Sequence, residues 1–468
     1  QEERFTRIKH DPSFPTNALR ECLNFCNLSL EQIDYIGFYE KPIKKFIRLL
    51  KTFLNNSPIG YKSFDNAMTE WFTNKLFLKK NITNELFKLQ KSLNKSSNLN
   101  KGIISKKILF SEHHESHAAS CYYPSPFKNS AIVTIDGVGE DTTTSIAHGK
   151  EDKITFLKEI LFPDSVGLLY SAFTYYLGFK VNSGEYKVMG LAPYGKPRFK
   201  NLILNNLIEV KSDGSFKMNM KYFDYQYGFK TINQNFIELF KKKRRDPESR
   251  LEEFHMDIAS SIQDVTEEIV VKLCKTAKKL TNSDNLVLAG GVALNCVANG
   301  KILNEKIFKG IWIQPASGDA GGSLGVALSI YHKHLGYKRN VDENIDSMFG
   351  SYLGNKFEKN VIEQFLNKTD AKYHFMENNK LTKETAKLIN EGKIIGWHNG
   401  KMEFGPRSLG TRSILADPRD PNMQTKLNLK IKFRESFRPF APSVIREKAN
   451  KYFNLWDHDS PYMLLVGK

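Results

Sequence analysis

The chain has 468 residues, of which 40% are hydrophobic and 12% aromatic, a composition typical of a folded protein rather than a disordered one. This length predicts two or three domains, each with a sizeable core. The 69 basic and 51 acidic residues give a formal net charge of +18, which suits nucleic acid, an anionic membrane surface or phosphorylated substrates as partners. Because many lysines lie in asparagine-rich stretches such as 91–101, we attribute much of this charge to a general Lys/Asn bias.

Cysteine usage and hydropathy indicate in which cellular compartment the protein functions. The five cysteines show neither paired metal spacing nor the density of a disulfide scaffold. No run approaches the roughly 20 apolar residues of a membrane-spanning helix. We therefore expect a cytoplasmic protein that does not enter a membrane.

Helical and strand patterns alternate along the first 350 residues, as expected of an α/β domain. Helices are predicted at residues 15–26, 165–177 and 255–280, and strands at 35–39, 131–135, 143–147, 153–160 and 286–289. The basic, helical stretch 41–100 has the character of an insertion. The strands between 131 and 160 should form an antiparallel meander, because the segment 136–142 is too short for a helical crossover. Weak periodicity after residue 335 places a domain boundary near Gly350.

Four side chains are candidate metal ligands. His113 and His117 lie one turn apart on a predicted helix, so both imidazoles share the face that one metal ion can bridge. Asp136 and Asp319 each follow a strand-like run and precede glycines. Two imidazoles with two carboxylates suit a borderline divalent ion such as iron, manganese or zinc. The alternative is a histidine pair that only caps or lines a helix, but the repeated Asp-Gly pattern after strands favours a metal site.

Glycines at two strand ends indicate phosphate binding. Gly290 and Gly291 separate a strand-like run from a helix, which places backbone amides at a helix N-terminus. A single Gly-Gly pair is more often a tight turn, but the pattern recurs at 319–322. The segment 190–196 has the glycine and lysine spacing of a phosphate loop, yet Pro197 stands where the magnesium-binding hydroxyl should be. We therefore reject that motif.

The second domain carries a cluster of cations. A predicted strand at 393–397 is followed by a glycine-punctuated loop, 403–412, with Arg407 and Arg412. Two-residue alternation would place Lys432 and Arg434 on the same side of an extended chain, where both can contact one anion. A solvated basic edge strand is the alternative. Because Arg407 and Arg412 are also present, we predict a phosphate or acyl-phosphate pocket.

Six motifs taken together resemble those of the NodU/CmcH-type O-carbamoyltransferases, and they occur in that family's order. They are His-His-Glu-Ser-His at 113–117, Asp-Gly-Val-Gly-Glu at 136–140, and the longer or glycine-rich segments 184–195, 290–295, 318–322 and 402–418. The resemblance implies a duplicated actin-like ATPase (ASKHA-type) fold in residues 1–350, with the helical insertion near 41–100. It implies a synthase-like (YrdC-like) α/β domain in residues 351–468.

The resemblance also implies a two-step reaction with ATP, presumed to act with Mg²⁺, as co-substrate. Carbamoyl phosphate and ATP would yield carbamoyl-AMP in the second domain, around Arg407, Arg412, Lys432, Arg434 and Arg438. The first domain would then pass the carbamoyl group to a hydroxyl of a sugar or antibiotic-like small molecule. There the ion, Fe²⁺ in the first instance with Mn²⁺ or Zn²⁺ as alternatives, would be held by His113, His117, Asp136 and Asp319.

Further roles follow from the same resemblance. Residues near the nucleotide would be Gly137, Gly139, Gly290, Gly291 and Asn295. Glu185 and Lys187 would be catalytic contacts to the adenylate or the acceptor. Relatives normally begin with a strand and a histidine turn before Gln1 and continue beyond Lys468, so this chain is expected to be truncated at both ends and to bind metal more readily than it turns over.

Two other functions are compatible with the sequence. A tRNA threonylcarbamoyladenosine transferase-like enzyme would make better use of the +18 charge, although a nucleic-acid partner is not the first expectation. A non-catalytic actin-like homologue would bind nucleotide and a protein partner instead. A homo-oligomer is compatible with each of these functions.

Overall fold

The computed structural model describes residues 1–93, 98–455 and 458–467. Residues 94–97 of the predicted insertion, and residues 456, 457 and 468 of the second predicted domain, lie outside the described residues. The chain divides into two compact units, Gln1–Asp346 and Ser347–Lys468. Both contain helices and strands, so the predicted α/β class is confirmed. Among the described residues, no helix is both long and apolar enough to cross a bilayer.

The first unit is built on a five-stranded sheet. The strands in the described part of this unit are β1 (Ile36–Phe38), β2 (Ile108–Phe110), β3 (Asn129–Ile135), β4 (Thr142–Lys150), β5 (Lys153–Leu161), β6 (Ile208–Val210), β7 (Phe216–Met218), β8 (Asn285–Ala289) and β9 (Gly310–Ile313). The sheet order is β5-β4-β3-β8-β9, with β3–β4–β5 antiparallel and β3, β8 and β9 parallel. The predicted meander is therefore confirmed. Strands β1 and β2 form a separate parallel pair.

Helices surround this sheet and form the insertion. They are α1 (Glu3–Thr6), α2 (Thr16–Cys26), α3 (Pro42–Asn56), α4 (Tyr61–Glu70), α5 (Leu78–Leu93), α6 (Lys101–Lys107), α7 (His113–Tyr122), α8 (Val166–Tyr176), α9 (Glu185–Leu191), α10 (Lys200–Asn206), α11 (Gln234–Phe240), α12 (Glu253–Thr281), α13 (Cys296–Asn304) and α14 (Gly322–Ser329). Both α7 and α12 pack against β3. Residues 130–135 of β3 are all buried, which explains the continuous apolar run.

The second unit has a two-stranded antiparallel sheet of β10 (Ile395–His398) and β11 (Arg412–Leu415). Its helices are α15 (Lys359–Lys368), α16 (Asn378–Asn390), α17 (Met423–Lys426) and α18 (Ala449–Tyr452). A π-helical turn, Leu427–Ile431, extends α17 directly. Only one five-stranded sheet occurs in the described part of the chain, so the duplicated actin-like and YrdC-like arrangement stays a prediction.

The extended conformation predicted around Lys432 is wrong. Helix α17 and the π-helical turn reach Ile431, Lys432 lies at their C-terminal end, and Phe433 has a positive φ of 48°. Met423 and Leu427 are buried one helical turn apart, at 4% and 5% exposure. Helical burial of these two side chains therefore decided the conformation, although the following residues also alternate in polarity.

Candidate metal centre

Helix α7 brings the two predicted histidine ligands together. It is buried along nearly its whole length, and His113 and His117 are 3% and 1% exposed. Their positions one turn apart direct both rings to one point, where the two Nε2 atoms lie 3.0 Å apart. Two lone pairs at this distance repel each other unless a proton or a cation lies between them.

The sheet supplies the two carboxylates. Because β3, β8 and β9 run parallel, their carboxyl ends lie at one edge of the sheet, and Asp136 and Asp319 follow β3 and β9 there. Asp136 Oδ2 lies 2.9 Å from His113 Nε2 and 3.6 Å from His117 Nε2. Asp319 Oδ1 lies 3.6 Å and 3.8 Å from the same two nitrogens. The four ligand atoms are all within 4.8 Å of one another.

The two carboxyl groups in the cluster formed by these four residues have pKa values shifted in opposite directions. Burial opposes ionisation of Asp136, but its hydrogen bond with His113 and its attraction to the nearby His117 outweigh burial and hold the pKa of this carboxyl well below its ordinary value. Burial and then the Asp136 charge raise the pKa of Asp319. Burial opposes protonation of His113, but its hydrogen bond with Asp136 and the charges of the nearby carboxylates together outweigh burial and raise the pKa of this imidazole. A divalent cation would neutralise both carboxylates at once.

The donor set fits a borderline divalent ion. Two imidazole nitrogens and two carboxylate oxygens suit Fe²⁺, Mn²⁺ or Zn²⁺. The Nδ1 atoms of both histidines are buried without a hydrogen-bond partner among the described residues, so the two rings are oriented by packing and by their contacts at Nε2. His114 does not belong to the cluster, because its Nδ1 lies 2.7 Å from Thr134 Oγ1 and burial lowers its pKa to about 3.

Tyr39 contacts the cluster and was missed from the sequence. Its ring lies 5.6 Å from the His113 ring, and its carbonyl oxygen accepts a hydrogen bond from Ser116 Oγ at 3.2 Å. Burial, followed by the charge of Asp319, raises the pKa of its phenol. A single aromatic residue after a short strand has no spacing signal that could have identified it.

Three of the four glycines predicted to bind nucleotide have partners for their backbone N–H groups within the chain. Gly291 N–H donates to Asp136 Oδ1 at 3.1 Å, so this turn after β8 orients a predicted metal ligand. Gly290 N–H donates to Ser317 O, and Gly139 N–H donates to Thr142 O. The Gly137 carbonyl accepts from Ser165 Oγ at 2.6 Å. Nucleotide binding by these residues stays a prediction.

Asn295 lies close to the helix that carries Glu185 and Lys187. Its side chain exchanges two hydrogen bonds with Gln263, at 2.9 and 3.0 Å, and caps α13 through Ala298 N–H. The Glu185 carboxylate accepts from Ser171 Oγ, Asn182 N–H and Gly184 N–H. The Lys187 ammonium lies over the Phe179 ring. None of these three predicted residues belongs to the metal cluster.

The second unit contains a cavity of about 430 Å³ beside its two strands. Arg412 and Lys432 line it, together with Gly396, Trp397, His398, Ser408, Ser413 and Ile414. Burial lowers the pKa of Lys432, and Arg434, Arg438 and Arg412 lower it further. These four cations therefore lie within electrostatic range of one another, and the backbone that leads to Lys432 is helical and not extended. Arg407, Arg434 and Arg438 do not line the cavity itself.

Glu403 organises the loop that leads to this cavity and was also missed. It is 4% exposed, and its Oε1 accepts hydrogen bonds from the backbone N–H groups of Leu409, Thr411 and Arg412 at 2.9, 2.9 and 3.2 Å. Burial opposes its ionisation, yet these bonds outweigh burial and lower the pKa of Glu403 from 4.5 to about 2. Glu403 is therefore ionised in the folded protein at neutral pH.

Replacing this residue, Glu403→Gln, should lower the free energy of unfolding of the second unit by about 1–3 kcal/mol at neutral pH. Because the folded pKa lies below the unfolded value, the contribution of the carboxylate is fully present above pH 4.5 and is lost as the pH falls towards 2. Thermal unfolding of both proteins between neutral pH and about pH 3 measures this. A difference between them that stays constant with pH would contradict the assignment.

Comparison with known proteins identifies the family. The family model described as "Carbamoyltransferase N-terminus" matches residues 1–328, and "Carbamoyltransferase C-terminus" matches residues 386–468. The chain therefore belongs to the carbamoyltransferase family, and the resemblance seen in its motifs is confirmed.

Individual relatives extend over much or all of the chain. The uncharacterized protein sll1178 of Synechocystis is 52% identical over 100% of this chain and 75% of its own length. Nodulation protein NolNO of Sinorhizobium fredii is 33% identical over 100% of this chain, which spans 63% of that protein. Nodulation protein NolO of Bradyrhizobium diazoefficiens is 35% identical over 76% of this chain and 62% of its own length.

Among solved structures, T. kodakarensis HypF aligns with 54% of this chain and 40% of its own at 14% identity. The TM-score of 0.27 is too low to support an argument about the fold.

Proposed function

We propose that this protein is an O-carbamoyltransferase that moves a carbamoyl group from carbamoyl phosphate, through ATP-dependent carbamoyl-AMP, to a hydroxyl of a small-molecule acceptor. The observation that carries the proposal is the convergence of His113, His117, Asp136 and Asp319 at one edge of the sheet, within the family-matched residues. Structural ion pairs do not ordinarily place two Nε2 atoms and two carboxylates around one point.

The transfer step belongs to the first unit in this proposal. The acceptor hydroxyl attacks the carbamoyl carbon, the bond from that carbon to the phosphate oxygen of AMP breaks, and AMP leaves with the electron pair. The four cluster residues would hold Fe²⁺, Mn²⁺ or Zn²⁺, and such an ion supplies stabilisation of the negative charge on the departing phosphate. The hydroxyl proton passes to a general base.

In this proposal, the other predicted residues of the first unit bind the nucleotide or the acceptor, as their positions and the family resemblance suggest. The turns after β3 and β8 lie at the same sheet edge as the cluster, which supports a nucleotide phosphate beside them. Glu185 and Lys187 would contact the adenylate or acceptor, because α9 packs beside the start of α13, where Met189 Sδ lies 3.8 Å from Cys296 Sγ.

Formation of carbamoyl-AMP is assigned to the second unit. Its cavity offers Arg412 and Lys432 to a phosphate, with Arg434 and Arg438 within electrostatic range. Trp397 and Ile414 provide an apolar wall. Arg407 lies in the loop 403–412 that ends at Arg412, and it would contact the same phosphate. ATP with Mg²⁺ would be the second substrate.

Replacing Lys432 with glutamine should weaken binding of carbamoyl phosphate to the full chain by roughly 10- to 100-fold, the range expected for loss of one charge-assisted hydrogen bond. Isothermal titration calorimetry measures the affinity directly. Mass spectrometry of mixtures with ATP, Mg²⁺ and carbamoyl phosphate then tests for carbamoyl-AMP, whose yield should fall in the variant.

The matched control is Lys430→Gln, which removes the same charge two residues away at a position that does not line the cavity. Its affinity should equal that of the wild type. Equal affinities for all three proteins would refute binding of carbamoyl phosphate in this cavity.

A further inference from the structure

Glu140 is a buried carboxylate outside the metal cluster that bonds two separate helix starts. Its side chain is 5% exposed. Oε1 and Oε2 accept from the His113 backbone N–H at 3.1 and 3.0 Å, and Oε1 also accepts from the Lys41 backbone N–H at 2.6 Å. His113 is the first residue of α7, and Lys41 directly precedes α3.

Neither helix is capped by its own sequence. The side chains of Glu112 and Lys41, which precede α7 and α3, make no capping hydrogen bond. The first N–H groups of a helix need an acceptor, and the N-terminal end of its dipole favours negative charge. Glu140 meets both requirements for two helices at once, from a turn that is distant from both in sequence.

The turn 136–140 therefore contacts both the imidazole tip and the backbone of His113. Asp136 Oδ2 contacts the Nε2 tip of the imidazole at 2.9 Å, and Glu140 holds the backbone N–H of the same residue. Gly139 packs directly against the His113 side chain, because a Cβ at residue 139 would be 2.9 Å from His113 Cβ. The ring is thus fixed in its orientation towards His117.

The same turn connects α3 of the insertion to α7. Arg48 of α3 donates from its guanidinium to Gly139 O at 2.9 Å and lies over the Phe162 ring. Together with the Lys41 bond, this contact fixes the start of α3 against the residues that hold His113. Movement of α3 would therefore be transmitted to the cluster through one short turn.

We propose that Glu140 is a positioning residue for the metal centre, which fixes the His113 imidazole for coordination and docks the first helix of the insertion beside it. This rests on the proposed function only in taking the cluster as a metal site. Docking of α3 is independent of any metal.

Glu140→Gln keeps the size of the side chain, but it removes the charge and one of the two acceptor oxygens. With Co²⁺ as a spectroscopic probe, the variant should bind about 10- to 100-fold more weakly than the wild type, as for loss of other groups that orient metal ligands. Its visible d–d absorption should change in position or intensity. In the metal-free protein, limited proteolysis within Pro42–Leu93 should become faster.

The matched control is Glu112→Gln, which removes a carboxylate at the same helix start. Glu112 pairs instead with Lys41 and Lys44 at 3.1 and 2.6 Å and is 40% exposed. Its variant should keep the wild-type Co²⁺ spectrum and affinity. If both variants match the wild type in Co²⁺ affinity, spectrum and proteolysis, the positioning role of Glu140 is refuted. Failure of the wild type itself to bind Co²⁺ would overturn the metal site, and unchanged proteolysis in Glu140→Gln would overturn the docking role separately.

Discussion

Replacing His117 with alanine should lower the affinity of the protein for Fe²⁺ or Mn²⁺ by at least about 100-fold. Groups that merely orient metal ligands are worth 10- to 100-fold in affinity, and His117 contributes a ligand atom itself. The neighbouring His114 is not placed to replace it, because its Nδ1 lies 2.7 Å from Thr134 Oγ1 outside the cluster. Equilibrium titration monitored by bound-metal analysis gives the affinity, and carbamoyl transfer should fall with it.

Two further variants separate ligand loss from unfolding. Asp319→Asn keeps the size of the side chain, so it should lose metal affinity without leaving a cavity in the core. His114→Gln changes the adjacent buried histidine, which lies outside the cluster, and should keep the metal. Equal metal binding by wild type, His117→Ala and Asp319→Asn would contradict the assignment of these ligands.

Replacing Gly325 with alanine should destabilise the first unit by about 3 kcal/mol or more and weaken metal binding at the same time. A Cβ at this position would lie 1.8 Å from Ser116 O and 2.7 Å from Ser116 C. Those atoms belong to the backbone of α7 between the two histidine ligands, so no side-chain rotation can relieve the overlap. Helices α7 and α14 would have to separate, which moves the histidines relative to Asp319.

Gly318→Ala is the matched control for this substitution. A Cβ there meets nothing within 4 Å, and the φ of −75° suits alanine, although the residue directly precedes Asp319. Its thermal midpoint and metal affinity should equal those of the wild type. Wild-type stability in Gly325→Ala would show that α7 and α14 are not held at the described separation.

The sequence predicted best where a regular pattern was long or repeated. Periodicity predicted the strands of the meander and helix α12. The metal-ligand candidates were predicted from their places after strands or one turn apart on a helix. Parallel pairing of β3, β8 and β9 explains why residues 136 and 319, far apart in sequence, meet at one edge.

Prediction failed where one side chain acts through long-range contacts. Tyr39, Glu140 and Glu403 each sit in or beside a short irregular segment, and their roles depend on partners that no local pattern identifies. The alternation around Lys432 was genuine but short, and burial of the preceding helical residues overrode it. The Gly291 N–H donates to Asp136 Oδ1, a contact between residues 155 positions apart that no local pattern identifies.

The most direct test is anomalous diffraction on either side of the iron absorption edge, from crystals of the full chain grown anaerobically with Fe²⁺. The expected result is one strong peak in the first unit, about 2.0–2.3 Å from His113 Nε2, His117 Nε2 and a carboxylate oxygen each of Asp136 and Asp319. Iron bound elsewhere, with these four side chains ordered but uncoordinated, would contradict the metal centre and with it the proposed transfer step.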